Sequence, residues 1–260
     1  MNNFKDVFIK NLHTINLKNK KCIVRVDFNV PLSDQNKILD DTRIKAVKKT
    51  IDFLISKKAI VILISHMGRP KGKTDQNLSL GKIKNSIELI LKYKILLINI
   101  KENDEIIHNS ISDIKSNQII MFENIRFNPE EETYSDKFSK YLSSFGDIYI
   151  NDAFAVSHRN HSSITGIPKF IPSFMGFMMY KEYTSISNLS SQLGNNSICI
   201  FGGAKISDKI QILNNFIGKV KYIAIGGGMI KEFANYLNSK KIPDKNNIIH
   251  NILNNKKTKI

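Results

Sequence analysis

The chain has 260 residues, of which 42% are apolar, so it is long enough for one large or two modest packed domains and too apolar for wholesale disorder. Two cysteines, Cys22 and Cys199, lie far apart in apolar runs, which excludes a disulfide scaffold and a CxxC zinc site and points to a reducing, cytoplasmic setting. Lys+Arg 39 against Asp+Glu 23 leaves a formal charge of +16, yet only five of these cations are arginine, and the lysines are scattered without a basic stripe interleaved with aromatics, so no nucleic-acid partner is expected.

In chain order, β-branched apolar runs predict strands over 22–27, 59–65, 94–100, 119–122, 148–150, 197–201 and 222–225. Stretches of helical period alternate with them. The clearest is 42–56, where Ile44, Val47, Ile51, Leu54 and Ile55 share one face; 79–91 follows with Ser79 as N-cap, then 136–144 and 207–217. The alternation predicts an α/β fold with parallel sheets. SFMGFMMYKEYTSISNLSSQL suits one helix joining two domains, giving expected boundaries of 1–173 for an N-terminal domain, 174–194 for the inter-domain helix and 195–260 for a second, incomplete domain. The N-terminus lacks a basic segment followed by an apolar one, and the longest apolar stretch, Ala59 to Ile64, is far below the ~20 residues of a membrane span. Neither secretion nor a membrane is expected.

Polar residues gather where the strands end, and in open parallel sheets those carboxyl ends form the ligand crevice. RVDFNVPL places Asp27 and Asn29 there, either to orient hydroxyls or as an Asx-type turn. SHMGRPKG adds His66, Gly68 and Arg69, a combination that favours anion binding; its GRPKGKT portion has one residue too few between the glycines for a P-loop. FENIRFNPEEE supplies Glu123 and Arg126, followed by an acidic run read as a solvated face. NDAFAVSHRNHSS contributes Asp152, His158, Arg159 and His161; the two histidines are loosely spaced for a metal, with no evident carboxylate partner, so no protein metal site is expected. Four of the five arginines (Arg43, Arg69, Arg126, Arg159) thus border one rim, and their planar forks suit a small ligand bearing phosphate and carboxylate. FGGAKISDKI, with Gly203, Lys205 and Lys209, reads as a phosphate-holding turn at a helix start, and IGGGM, with Gly227, as either a close backbone approach to a flat ring or a tight turn.

In this order RVDFNVPL, DDTRIKA, SHMGRPKG, ENIRF, NDAFAVSHRNHSS, GGAKISDKI and GGGM resemble phosphoglycerate kinases, from Arg25 to about Met229. The resemblance implies two Rossmann-like domains and a glycolytic phosphotransferase with a carboxyl group as acceptor, moving a phosphoryl group between 1,3-bisphosphoglycerate with ADP and 3-phosphoglycerate with ATP. By position, Asp27, Asn29, Arg43, His66, Gly68, Arg69, Arg126 and Arg159 would bind 3-phosphoglycerate. Arg43 and Lys205 would be catalytic at the transferring group, with Gly203, Lys205, Lys209 and Gly227 around the nucleotide. Mg2+ would arrive with ATP or ADP, its protein ligand lying beyond the matching segments. After GGGM the similarity ends, and the last thirty residues, with seven lysines against two acids, read as an unselected Asn-Lys-Ile stretch of a truncated chain. Such a chain would be a monomer or be completed by a second polypeptide; otherwise it is a non-catalytic remnant that binds 3-phosphoglycerate.

Overall fold

β1, Lys21–Arg25, has the burial of a central strand, with Cys22, Ile23, Val24 and Arg25 all sealed from solvent. It belongs to a computed structural model that describes residues 12–114, 118–194, 196–203, 209–238, 248–255 and 258–260. Beside it lie β2 (Ile60–Ile64), β3 (Lys94–Ile98), β4 (Gln118–Phe122), β5 (Ile148–Asn151) and β6 (Ser173–Met175), every pair parallel, in the order β3-β4-β2-β1-β5-β6. The chain works outward from β1 to one edge, then returns to its other side at β5, and this reversal opens a crevice at the carboxyl ends of the strands.

Alternation along the strands divides the core between two faces. Cys22, Val24, Val61, Leu63 and Ile150 pack with Ile44, Val47, Ile51 and Leu54 of α1 (Thr42–Ser56) and Ile87 and Leu91 of α2 (Lys84–Leu91). Ile23, Ile62, Ile64 and Tyr149 face Ile107 and Ile111 of α3 (Asp104–Ser112) and Phe138 and Leu142 of α5 (Asp136–Ser143), which follows the short α4 (Pro129–Thr133). Burial pushes the Cys22 thiol up to about 12, so it is an inert core group. The predicted helix over 79–91 is divided: Ser79 accepts from Gly81 N to cap a 3-10 turn, Leu80–Lys82, and α2 begins at Lys84. β6 and α3 were not expected; β6 has only three residues.

β6 runs through Gly176 into α6 (Phe177–Ser191), which falls within the expected connecting helix. The start of α6 is fastened to the first sheet by buried Asp152. Its Oδ1 accepts from Met179 N at 2.9 Å, and its Oδ2 accepts from Thr50 Oγ1 at 2.6 Å, while Thr50 Oγ1 accepts from Phe177 N at 2.9 Å. A Cβ on Gly176 would stand 2.6 Å from Asp152 Cβ and closer still to its carboxyl, so only glycine fits.

One compact unit ends at Thr184 and a second begins at Ser185. In the second, β7 (Ile198–Gly203) pairs in parallel with β8 (Tyr222–Gly227), and one face packs against α7 (Ile210–Phe216), α8 (Met229–Asn238) and α9 (Ile248–Leu253) through Leu213, Ile223, Met229, Phe233 and Ile252. The segment expected to be an unselected tail therefore contributes packed structure. Met229 and Phe233 stand one helical turn apart in α8, and buried Thr258 donates to Val220 O at 2.8 Å while Ile223 N donates to Lys259 O. The opposite face of the two strands is bare, with Ile198 62% and Ile200 83% exposed. No described helix is long and apolar enough to cross a membrane.

Candidate anion site at the carboxyl ends of the first sheet

The rim is assembled around the turn that leaves β2. Gly68 has φ +60°, and a Cβ there would meet Leu78 Cδ2 at 2.6 Å, so the position demands glycine. Both of its backbone groups are held: Asn29 Oδ1 accepts from Gly68 N at 2.9 Å, and Arg126 Nη1 donates to Gly68 O at 2.7 Å. Asn124 Nδ2 donates to Met67 O and Leu78 O at 2.7 and 2.8 Å, tying the same turn to the end of β4. Asp27, after β1, accepts from Asn29 N at 3.1 Å and from Arg43 Nη1 at 2.9 Å; Arg43 Nη1 also donates to Asn29 O. Thus the RVDFNVPL segment is an Asx-type turn and a rim element at once. The Arg43 side chain is half exposed and reaches the rim from the first turn of α1.

Arg126 is 2% exposed, and its Nη2 has no hydrogen-bond partner among the described residues. Its Nε lies 3.2 Å from Glu132 Oε1, an ion pair too poorly aligned for a hydrogen bond. Burial lowers its pKa, as do the charges of Arg159 and Arg25, against the pull of Glu132. A buried guanidinium edge without an acceptor is a place for an anionic oxygen. His66, 2% exposed, is held far below the usual imidazole range, first by burial and then by the charges of Arg25, Arg126 and Arg159. It is therefore an uncharged imidazole at neutral pH. The charge of half-buried Arg159 is felt by both His66 and Arg126 and lowers the pKa of both. Arg69 is exposed directly after Gly68.

Several polar residues serve other ends. Glu123 accepts from Ser79 Oγ, Leu80 N and Asn124 N at 2.6 to 2.8 Å, capping the 3-10 turn. The acidic run is not wholly a solvated face: Glu131 is completely buried, because Ser163 donates to it from N at 2.9 Å and from Oγ at 2.6 Å. Burial raises the Glu131 carboxyl, but nearby His161, the Arg25 charge and the Ser163 bonds outweigh it and leave its pKa below the ordinary range. Glu131 Oε1 also lies 3.6 Å from His161 Nδ1, the carboxylate neighbour that the spacing of the histidines did not reveal; His158 is exposed. Among the described residues no three His, Cys, Asp or Glu side chains converge as metal ligands.

At the second unit, Gly203 and Gly227 are register partners at the ends of β7 and β8, and Gly227 has φ +65°. A Cβ on Gly227 would stand 3.2 Å from Gly203 O, so the two backbones approach closely there. Half-buried Lys209 immediately precedes α7; Lys205 lies outside the described residues.

The family model for phosphoglycerate kinase matches residues 12–259, past Met229, where the motifs alone end the resemblance. Phosphoglycerate kinases of Coprothermobacter proteolyticus and Moorella thermoacetica are 40% and 38% identical over 225 and 222 residues, 86% and 85% of this chain. The matched portions make up 57% and 56% of those relatives, so the chain spans little more than half their length. Among solved structures, phosphoglycerate kinase from Coxiella burnetii superposes with TM-score 0.76 at 29% identity, covering 93% of this chain and 61% of that one. The enzyme from Pyrococcus horikoshii gives 0.79 at 26%, covering 96% and 66%. With a parallel α/β sheet, a cationic rim at its carboxyl ends and a family match across nearly its whole length, the chain belongs to the phosphoglycerate kinase family.

Proposed function

We propose that the first unit binds 3-phosphoglycerate and that the protein takes part in glycolytic phosphoryl transfer between ATP and the carboxylate of that ligand, in the cytoplasm. The observation that carries this reading is the buried Arg126 guanidinium with an unpartnered Nη2, set beside Gly68, His66 and Arg159. Asp27 and Asn29 orient the glycerate part, while Arg43, His66, Gly68, Arg69, Arg126 and Arg159 receive its carboxylate and phosphate. Gly203, Lys205, Lys209 and Gly227 border the nucleotide, in the proposed domain arrangement of 1–173, 174–194 and 195–260.

Transfer of this kind asks the protein mainly for positioning and for cations at the equatorial oxygens. Arg43 and Lys205 are assigned that role. A cation at the transferring group contributes on the order of 3 kcal/mol to the transition state. Mg2+ enters as the nucleotide complex; the described residues offer no cluster of three His, Cys, Asp or Glu side chains to hold it.

The test is turnover of Mg-ATP and 3-phosphoglycerate by the purified, mass-verified chain, with Lys205→Ala as control for contaminating kinase. Turnover lost in the control supports catalysis by this chain. A specific observation favours a second reading, in which this chain alone binds 3-phosphoglycerate without completing a nucleotide site: the bare β7–β8 face with Ile198 and Ile200. Ligand binding without turnover, restored by adding a polypeptide that carries the remaining family length, would favour it. Absence of 3-phosphoglycerate binding at millimolar ligand would overturn both.

A further inference from the structure

Arg25 is the one arginine with no place on the rim, and it is fully buried inside β1. Its guanidinium is fixed on three sides. Nε donates to Ser163 Oγ at 3.0 Å, Nη1 donates to Val26 O, and Nη2 lies 3.2 Å from His66 Nδ1. Ser163 Oγ in turn donates to Glu131 Oε1 at 2.6 Å, so a buried carboxylate balances the guanidinium across one hydroxyl.

A guanidinium has only donors. Nδ1 of His66 must therefore present its lone pair to Nη2, since a proton there would oppose an N–H. We propose that Arg25 is a positioning residue that fixes His66 as the Nε2–H tautomer, leaving Nε2–H as the single ring donor offered to a bound oxygen. The other charged or titratable groups about this ring are Asp27, whose Oδ1 is 4.0 Å from Nδ1, and Arg126, Arg159 and His161. Asp27 is held by Arg43 and lies too far to draw the proton to Nδ1, so the tautomer follows from Arg25. The consequence for binding rests on the 3-phosphoglycerate reading above; the tautomer does not.

The experiment is a long-range proton–nitrogen correlation spectrum of the uniformly 15N-labelled full chain at neutral pH, without ligand, with His66→Gln to assign the ring. The wild type should show a protonated Nε2 and an unprotonated Nδ1. Arg25→Met/Glu131→Gln removes the guanidinium and its balancing carboxylate together, which spares the fold an unpaired buried charge. This variant should show a mixture of tautomers or a protonated ring, and about tenfold weaker 3-phosphoglycerate binding. An arginine that merely filled space would leave the ring nitrogens as they were. A proton on Nδ1 in the wild type, which is read without any variant, overturns the proposal, as does an unmixed Nε2–H form in the double variant. If the wild type gives the expected spectrum yet binds no 3-phosphoglycerate, the tautomer assignment stands and only the substrate reading fails.

Discussion

Arg126 reaches across from the end of β4 to the Gly68 carbonyl at 2.7 Å, and this bond aims the rest of the guanidinium, with its unpartnered Nη2, at the rim. The relationship needs a planar fork, because one edge is spent on the backbone and the proposed reading requires another for the ligand. Arg126→Lys should weaken 3-phosphoglycerate binding by about 10- to 100-fold, as expected for losing a charge-assisted hydrogen bond, even though the charge is kept. Titration calorimetry of the two proteins measures it; equal affinities would remove Arg126 from the site.

Arg43 differs in being half exposed and, among the described residues, tethered through Asp27 and Asn29 O. If it acts on the transferring phosphoryl group, Arg43→Ala should lower kcat by roughly 100-fold while KM for 3-phosphoglycerate moves much less. Steady-state kinetics on whichever assembly shows turnover decides it. A rise in KM at unchanged kcat would make Arg43 a binding residue only.

Asp152 carries a pH prediction. Burial raises its carboxyl from 3.8 to about 6, against the opposing hydrogen bonds of Thr50 and the α6 backbone. The folded state therefore holds this proton more tightly than the unfolded chain, so the stabilisation is fully present below pH 3.8 and is lost as the pH rises through about 6. Relative to Asp152→Asn, the wild type should gain stability as the pH falls from 7 to 5, by about 1 kcal/mol of the ~3 kcal/mol that the whole shift represents. Subtracting the variant cancels contributions common to both, including that of buried His66, whose sign is opposite. Parallel thermal melts across this range test it, and a constant difference in Tm would contradict it.

Gly176 should tolerate no side chain, since the obstructing atoms belong to an anchored carboxylate and not to a flexible tip. Gly176→Ala should cost about 1–3 kcal/mol through overpacking and lower the melting temperature of the first unit by several degrees. A calorimetric melt indistinguishable from the wild type would show that α6 can shift freely at its start.

On the second unit, Ile200 at 83% exposure should drive self-association or adsorption. Ile200→Lys should reduce the sedimentation-detected associated fraction without lowering the melting temperature, because so exposed a side chain contributes little to the folded core.

Much of the first unit was legible in its one-dimensional pattern. The helix over 42–56 coincides with α1 because five apolar residues at helical spacing lie between an exposed start and a lysine stop, so local and tertiary preferences agree. All seven expected strands occur, since each is a compact β-branched run. β6 is hidden because three residues have no measurable period. α8 and α9 are masked by their Asn and Lys neighbours, although Met229 and Phe233 carry the correct spacing. At the site, the arginines stood out against a lysine background, whereas the burial of Glu131 could not be read from its neighbours. Its hydroxyl donor is Ser163, 32 positions on, which in turn accepts from Arg25, 138 positions from that serine, and only the folded sheet joins them. The charge of His66 was likewise a tertiary matter, decided by its burial and by arginines contributed from three separate segments.

The two thiols of the chain lie one in each unit, and they differ in access. Cys22 is sealed within β1, while Cys199 in β7 is only partly covered. A cysteine-directed dye added to the native protein should therefore decorate the second unit alone, and a second equivalent should be taken up only when the first sheet comes apart. Pulse labelling followed by peptide mapping would then time the opening of each unit separately, using reporters the molecule already contains.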